Sequence, residues 1–337
     1  MGRAASLPAV SARALRKSFG AGGGVVEAVR GVDLEVAAGR IFGLLGPNGA
    51  GKTTTLRMLT TLLPVDGGEA FVAGVDVRRE PRRVRGHIGY VGQLGGTDAA
   101  ATGRENLVLQ GRLYGMSAAN ARRRAAELID LLQLDAFADR LAGTYSGGQK
   151  RRLEVALGIM HQPDVLFLDE PTTGLDPQNR ANLWDQLRAL KDAGTTIVVT
   201  THYLEEADEL SDELAIIDHG KVIAEGTPAQ LKRALGGDAV VLTAHPGRGL
   251  SSDLERSLAG APFVSRTQLE GSELRLYVEN GPAVLPAILD RVRASGVDLA
   301  SVQLARPTLD DVFLQHTGRS LRDAGPADEP SRPEAPA

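Results

Sequence analysis

The chain has 337 residues, 42% hydrophobic and 24% charged, so it is long enough for two globular domains. Its formal net charge of -4 gives no overall attraction for nucleic acid, and the absence of cysteine excludes disulfides, thiolate catalysis and cysteine metal sites. No apolar run reaches the ~20 residues that span a bilayer, so we expect any membrane role to require another protein.

The first two thirds of the sequence has the pattern of a mostly parallel sheet. Residues 32–36 alternate apolar and acidic side chains, which predicts a half-buried strand. Short, continuous apolar runs follow, as expected for strands that are buried on both faces. Helical stretches at residues 117–132 and 178–192 lie between them and predict an α/β domain. The apolar runs are residues 41–45, 165–169, 196–201 and 213–218.

A glycine-rich loop, GPNGAGKT, follows the first apolar run and precedes a helical stretch. Glycines let such a loop curl so that successive backbone N–H groups face one phosphate, and the start of the helix adds positive potential. Lys52 supplies a charge for the β- and γ-phosphates, and the Thr53 hydroxyl is placed for Mg²⁺. We therefore predict an ATP site formed by Gly46, Pro47, Asn48, Gly49, Ala50, Gly51, Lys52, Thr53 and Thr54.

Two carboxylates, Asp169 and Glu170, end the apolar run VLFLD. Adjacent strand residues point to opposite faces, so the two side chains can have different tasks. Asp169 suits a residue that holds Mg²⁺ directly or through water, and Glu170 suits a general base that polarises the attacking water. Because the pair follows a phosphate loop in the same domain, it predicts ATP hydrolysis.

The last third of the chain restarts the pattern with a different order of elements. Thr227 and Pro228 predict the start of a short helix, and residues 235–238 look like a break between domains. The order β-α-β-β-α-β then predicts a small ferredoxin-like α+β unit. Its predicted strands are residues 239–243, 263–269, 273–278 and 298–304, and its predicted helices are residues 250–258 and 283–295. The predicted organisation is a flexible start (1–9), an α/β domain (10–236), a small α+β domain (237–318) and a disordered tail (319–337).

The string YSGGQKRRLEVA, residues 145–156, resembles the LSGGQ signature of the ATP-binding domain of ABC transporters, with Tyr145 in place of the usual Leu. The resemblance covers about residues 10–235 and implies a RecA-like P-loop core with antiparallel β and helical subdomains. Its signature residues here are Ser146, Gly147, Gly148 and Gln149. Other matching positions are Phe19 for adenine stacking, Gln93 as the Q-loop ligand of Mg²⁺, Asp176 as the D-loop acid, and His202 as the histidine that contacts the γ-phosphate.

Two longer strings, DEPTTGLDPQNRANLW and ARPTLDDVFLQHTGRSLRD, resemble the daunorubicin-resistance type of ATP-binding subunit. The resemblance implies a head-to-tail dimer in which the signature of one subunit covers ATP on the phosphate loop of the other. Each chain has one copy of each motif, so a homodimer is expected. The resemblance also implies a separate ABC-2-type permease, docked near Gln93 and residues 99–116 on the cytoplasmic side of a bacterial membrane. The expected task is export of a hydrophobic or amphipathic drug or antibiotic.

Three other functions stay open at this point. The first is a non-transport ABC ATPase of translation or DNA repair, although such proteins usually carry two nucleotide domains or long coiled-coil insertions, and neither is visible here. The second is a P-loop GTPase, although the chain has no NKxD string to read guanine. The third is a binding module without hydrolysis, which magnesium-dependent phosphate release would exclude.

Overall fold

The computed structural model describes residues 7–21, 24–93, 95–235, 237–245, 252–270 and 272–321. Across these residues it has fourteen strands and eleven α-helices. The chain divides into two compact units between Glu225 and Gly226, whereas the sequence predicts a domain boundary after residue 236. The predicted flexible start and disordered tail lie largely outside the described residues.

The first unit contains ten strands and seven α-helices of the described chain. The strands are β1 (Val10–Ala21), β2 (Gly24–Val36), β3 (Ile41–Leu45), β4 (Gly67–Val72), β5 (Val75–Asp76), β6 (Ile88–Val91), β7 (Val165–Asp169), β8 (Thr196–Thr201), β9 (Glu213–Asp218) and β10 (Lys221–Gly226), the last of which ends at the boundary. The helices are α1 (Lys52–Leu59), α2 (Pro81–His87), α3 (Gly103–Leu113), α4 (Ala118–Leu131), α5 (Gly147–Gly158), α6 (Pro177–Asp192) and α7 (Leu204–Leu210).

A six-stranded sheet in the order β10-β9-β3-β8-β7-β6 forms the centre of this unit. The pairings from β9 to β6 are parallel, and β3, β7 and β8 are completely buried, which confirms the prediction from the apolar runs. Alternate residues enter two separate cores. Leu166 and Leu168 pack into one core with α3 to α6, while Val165 and Phe167 pack into the other with α1 and the smaller sheet.

The smaller sheet of the first unit has the order β2-β1-β4-β5 and is antiparallel. This sheet is the predicted antiparallel β subdomain, and α3, α4 and α5 form the predicted helical subdomain beside the RecA-like core. The predicted fold class is therefore confirmed. Strand β2 begins at Gly24, eight residues before the predicted start at residue 32. Residues 24–27 of β2 are exposed and lack an alternating pattern, and they form strand by pairing with residues 18–21 of β1.

The second unit begins with α8 (Pro228–Ala234), which is capped by Thr227 as predicted. Its remaining elements form a four-stranded antiparallel sheet in the order β12-β13-β11-β14, the ferredoxin-like arrangement that the sequence predicts. Part of the predicted helix 250–258 lies outside the described residues. Among the helices of the described residues, none is long and apolar enough to cross a membrane. The elements are β11 (Asp238–Ala244), α9 (Ser252–Ala259), β12 (Val264–Glu270), β13 (Glu273–Val278), α10 (Gly281–Ala294), β14 (Leu299–Ala305) and α11 (Leu309–Thr317).

Candidate nucleotide site

The glycine-rich loop joins β3 to α1 and packs closely against the neighbouring strands β2 and β9. Gly51 is the N-cap of α1 with φ 103°, a conformation that favours glycine. A β-carbon at Gly51 would lie 2.5 Å from the carbonyl oxygen of Ala28 on β2. A β-carbon at Gly46 would collide with the carbonyl of Ile217 on β9. The loop can therefore approach both strands only because these positions have no side chain.

Lys52, the first residue of α1, lies under this loop and is 4% exposed. Its ammonium donates to the carbonyl oxygens of Gly46 at 2.8 Å and Pro47 at 3.0 Å, and it lies 3.5 Å from Oε1 of Glu170. Burial lowers the pKa of Lys52, although the nearby carboxylates of Glu170 and Asp169 oppose that shift. The loop carbonyls and Glu170 thus hold a buried cation beside the helix start, where an anionic group would meet it.

Asp169, at the end of β7, connects the phosphate loop with strand β8. Its Oδ1 accepts hydrogen bonds from the hydroxyls of Thr53 at 2.9 Å and Thr200 at 2.7 Å. Its Oδ2 is buried and has no hydrogen-bond partner among the described residues. Such an oxygen costs about 1–3 kcal/mol if nothing meets it. Because Mg²⁺ prefers hydroxyl and carboxylate oxygens, Thr53 and Asp169 fit the predicted ion.

Glu170 has an unusual backbone, with φ 47° in the left-handed region, which costs roughly 1–2 kcal/mol for a residue other than glycine. Its N–H donates to the carbonyl oxygen of Thr200 at 3.1 Å and to the Thr200 hydroxyl at 3.0 Å. Thr200 therefore helps to hold a strained conformation that a candidate catalytic residue would use.

The carboxylate of Glu170 lies between a histidine and a lysine. Its Oε2 lies 3.3 Å from Nδ1 of His202 and accepts from the Thr173 hydroxyl at 3.3 Å, while its Oε1 faces Lys52. Burial raises the pKa of Glu170, but the contacts with His202 and Lys52 outweigh burial and the pKa falls below its ordinary value. The side chain is therefore ionised at neutral pH and can polarise a water molecule. The structure brings His202 and Glu170 together as the predicted site requires.

Gln93 follows β6 and is exposed. It lines a cavity of about 340 Å³ that it shares with Glu170 and with Gly147 of the signature. The cavity places Gln93 beside the candidate base, and its contact with Mg²⁺ stays a prediction.

The signature string begins helix α5 with a capping box. The Ser146 hydroxyl accepts from the Gln149 N–H at 3.3 Å, and the Gln149 side chain accepts from the Ser146 N–H at 3.1 Å. Gly148 is buried, and a β-carbon there would lie 2.5 Å from Oδ1 of Asn179 on α6. Ser146 and Gly147 are exposed, and a β-carbon at Gly147 would have its first neighbour at 3.9 Å. The N-terminal end of α5 is therefore accessible to another molecule.

Asp176 is the N-cap of α6 in this structure. Its carboxylate accepts from the N–H of Asn179 at 2.9 Å and from its side-chain amide at 2.6 Å, and these bonds lower the pKa of Asp176. This capping role accounts for the residue within one chain. Its predicted D-loop role at ATP stays a prediction.

Phe19 lies on β1 opposite Val26 of β2 and is 39% exposed. The ammonium of Lys17 lies 5.5 Å from the centre of its ring. Strand β2 also carries Ala28, which touches the phosphate loop at Gly51. The ring is therefore available on the strand pair beside the loop, and stacking on adenine stays a prediction.

Three further residues were not predicted from the sequence, and two of them contact the acidic pair. Thr200 bonds to both acidic residues, and its signal was a polar side chain in an otherwise apolar run, since a buried hydroxyl needs a partner. Arg151 also contacts the backbone around Glu170, but nothing in the string QKRRLE indicates which basic residue turns inward. Glu206 is fully buried on α7 and accepts from the indole N–H of Trp184 at 3.1 Å.

Two protein-family models match the chain. The one described as "ABC transporter" covers residues 29–173. The one described as "ATP-binding protein DrrA1-3-like, C-terminal domain" covers residues 226–317. The first includes the phosphate loop, the signature and both acidic residues, and the second corresponds to most of the second unit.

Similar proteins match over nearly the whole chain. The daunorubicin/doxorubicin resistance ATP-binding protein DrrA of Streptomyces peucetius is 48% identical and is aligned over 91% of both chains. The linearmycin resistance ATP-binding protein LnrL of Bacillus subtilis is 37% identical over 88% of this chain and 95% of its own. The Nod factor export ATP-binding protein I of Paraburkholderia xenovorans is 42% identical over 88% of this chain and 93% of its own.

A solved structure is also similar to part of this chain. It is an ATP-binding cassette, described as a dimer in a post-hydrolysis state bound to ADP and Pi. It matches with a TM-score of 0.60 and 26% identity, over 65% of this chain and 98% of its own.

Proposed function

This chain belongs to the ABC transporter family of ATP-binding proteins, and from that membership we propose that it is the Mg²⁺-dependent ATPase subunit of a drug exporter. ATP hydrolysis is the activity of the family. Hydrolysis here would drive efflux of a hydrophobic or amphipathic drug or antibiotic through a separate ABC-2-type permease.

The observation that carries the proposal is the cluster of Lys52, Thr53, Asp169, Glu170 and His202 at one end of the parallel sheet. Contacts of 2.9–3.5 Å join these side chains into one site. The cluster combines a cation for phosphates, oxygen ligands for a metal and an ionised carboxylate for water, which are the parts that phosphoryl transfer to water requires.

In the proposed mechanism the loop and the start of α1 bind the phosphates of ATP through backbone N–H groups, and Lys52 neutralises the β- and γ-phosphates. Thr53 and Asp169 would hold Mg²⁺, which supplies charge neutralisation on the phosphate oxygens. Glu170 orients and polarises the attacking water. His202, whose Nδ1 lies 3.3 Å from the Glu170 carboxylate, would donate to the γ-phosphate.

ATP-binding subunits of ABC exporters work as dimers with a membrane permease. We propose a homodimer, because this chain carries one phosphate loop and one signature. The exposed Ser146 and Gly147 support this arrangement, since they leave the end of α5 open to ATP on a second copy. ATP would then bridge two helix starts, and loss of the γ-phosphate would weaken the bridge.

Exposed apolar side chains on and just after α3 support docking of the permease within the predicted region 99–116. Leu109, Leu113 and Tyr114 are 51%, 75% and 45% exposed, respectively. They lie near a cavity of about 240 Å³ that is lined by Tyr90, Gln110 and Tyr114. A permease segment with an apolar face fits such a surface. The chain would then work on the cytoplasmic side of the membrane.

The drug class rests on the relatives, of which two are named for resistance to daunorubicin or doxorubicin and to linearmycin. We propose daunorubicin as the first compound to test. The chain would be expressed together with an ABC-2-type permease under test, and inside-out vesicles would be supplied with ATP and daunorubicin. We expect uptake with ATP and Mg²⁺ and none with EDTA or with Glu170→Gln.

Two further outcomes separate the parts of the proposal. Magnesium-dependent phosphate release without uptake of any tested drug would leave the ATPase intact and contradict drug export. Phosphate release that continues at the full rate in EDTA would contradict the assignment of Thr53 and Asp169 as magnesium ligands.

A further inference from the structure

Arg151 lies in the second turn of α5, five residues after Ser146, and is only 7% exposed. Its guanidinium makes four hydrogen bonds. Nε donates to the carbonyl oxygen of Pro171 at 2.9 Å, and one terminal nitrogen donates to the carbonyl oxygen of Asp169 at 3.1 Å. The other terminal nitrogen donates to the carbonyl oxygen of Gly92 at 2.7 Å and to the Glu154 carboxylate at 3.0 Å.

The first two acceptors lie on either side of Glu170. They are the carbonyls of Asp169 and Pro171, and Glu170 between them has the left-handed φ of 47°. The Glu170 N–H between them donates to the Thr200 hydroxyl at 3.0 Å. The strained backbone of the candidate base is thus fixed both by β8 and by an arginine of the signature helix.

The third backbone acceptor, Gly92, immediately precedes Gln93. The same loop passes close to Glu154, since a β-carbon at Gly95 would collide with its carboxylate. Arg151 and Glu154 also line the cavity that contains Gln93 and Glu170. One buried ion pair on α5 therefore contacts the chain segments of two predicted site residues.

We infer that Arg151 is a positioning residue for hydrolysis, which fixes Glu170 and Gln93 relative to the signature helix. A planar guanidinium can hold several carbonyls in fixed directions, which lysine cannot do. A displacement of α5 would then be transmitted to the Glu170 backbone through these bonds. The inference rests on the proposed role of Glu170 as the base.

A simpler role for Arg151 would be to neutralise the buried Glu154, which is 8% exposed. Removal of Arg151 alone would leave that carboxylate buried and unpaired, and the protein could fail to fold. The test therefore uses the double variant Arg151→Met with Glu154→Gln, which removes both charges. Arg152→Met serves as the matched control, because Arg152 lies on the same helix and donates instead to the Gln133 carbonyl at 3.2 Å.

The experiment measures kcat and KM for MgATP on the purified full chain, with thermal unfolding of each variant. We expect the double variant to fold and to keep KM within about threefold, while kcat falls roughly tenfold to a hundredfold because the base is misplaced. Arg151→Lys should also lose kcat, and Arg152→Met should keep both constants.

Wild-type kcat in the folded double variant would show that Arg151 only neutralises Glu154, and would overturn the inference. An equal loss of kcat in Arg152→Met would do the same, because the effect would then belong to the helix and not to these contacts. Glu170→Gln is measured in parallel. If Glu170→Gln hydrolyses ATP normally, the proposed base is wrong whatever Arg151 does, so the two failures can be distinguished.

Discussion

Two helices in the first unit begin with glycine-rich motifs. They differ in whether a side chain caps the first backbone N–H groups of the helix. Helix α1 begins after Gly51 without a side-chain cap, in a loop packed between strands. Helix α5 begins with the capping box of Ser146 and Gln149, and its outer residues are exposed. The first N–H groups of a helix have no partner within the helix, so α1 offers them to a ligand while α5 satisfies one of them itself.

This difference suggests two tasks for similar sequences. The loop before α1 is fixed by contacts with β2 and β9 and lies beside Lys52, which suits tight binding within one chain. The start of α5 is stable by itself and open to solvent, which suits a contact that forms and breaks.

The largest effect should come from the chemistry beside α1. We expect Glu170→Gln to keep ATP binding and to lose hydrolysis by about 10²–10⁴-fold, because glutamine cannot accept a proton from water. ATP-bound dimer should then accumulate. Single-turnover hydrolysis and size-exclusion chromatography with ATP measure both effects, and hydrolysis at the wild-type rate would remove Glu170 from the role of base.

The next largest effect concerns ATP affinity and compares Lys52 at the start of α1 with Lys150 near the start of α5. Lys52→Ala should weaken ATP binding by roughly 10–100-fold, since it removes a buried charge from the phosphate loop. Lys150→Ala removes an exposed lysine from α5 and should leave the Kd unchanged when measured at concentrations where the chain is monomeric. Equal losses in both variants would mean that the two helix starts bind ATP in the same chain.

The sequence predicted the elements around this site better than their contacts. Continuous apolar runs revealed the buried strands, and the motifs placed Lys52 at a helix start and Asp169 at a strand end. The bond between Asp169 and Thr200 depends on the register of β7 and β8, which pairs these two residues across 31 positions of sequence. No local pattern sets that register. The beginning of β2 was missed for a related reason, because residues 24–27 are exposed and form strand through pairing with β1.

A third prediction concerns the two signature glycines. Gly148→Ala should lower the free energy of unfolding by about 1–3 kcal/mol, because the new methyl group would displace Asn179 and disturb the Asp176 cap of α6. Gly147→Ala has room for its methyl group and should unfold like the wild type. Urea unfolding of both variants checks this.

The Gly147→Ala and Gly148→Ala variants also distinguish an effect on folding from an effect on dimer formation. If the exposed start of α5 contacts ATP on a second subunit, Gly147→Ala should weaken the ATP-dependent dimer while ATP binding by the monomer stays unchanged. A Gly147→Ala protein that dimerises like the wild type would show that this end of α5 does not approach the partner closely.

The smallest effect compares the pKa shifts of two glutamates, the half-buried Glu170 and the fully buried Glu206. The pKa of Glu170 is lowered, whereas burial raises the pKa of Glu206 above its ordinary 4.5, despite hydrogen bonds from Thr201 and Trp184 that oppose the shift. Above pH 4.5 the unfolded chain ionises Glu206 freely, so the glutamate costs stability increasingly as pH rises toward its folded pKa. Glu206→Gln keeps an acceptor for Trp184 and should gain about 1 kcal/mol at pH 7.5 and nothing near pH 4. Urea unfolding at both pH values measures the gain, with the exposed Glu209→Gln on the same helix as a control that should show no such pH dependence. A gain of equal size at both pH values would mean that packing rather than ionisation of Glu206 limits stability here.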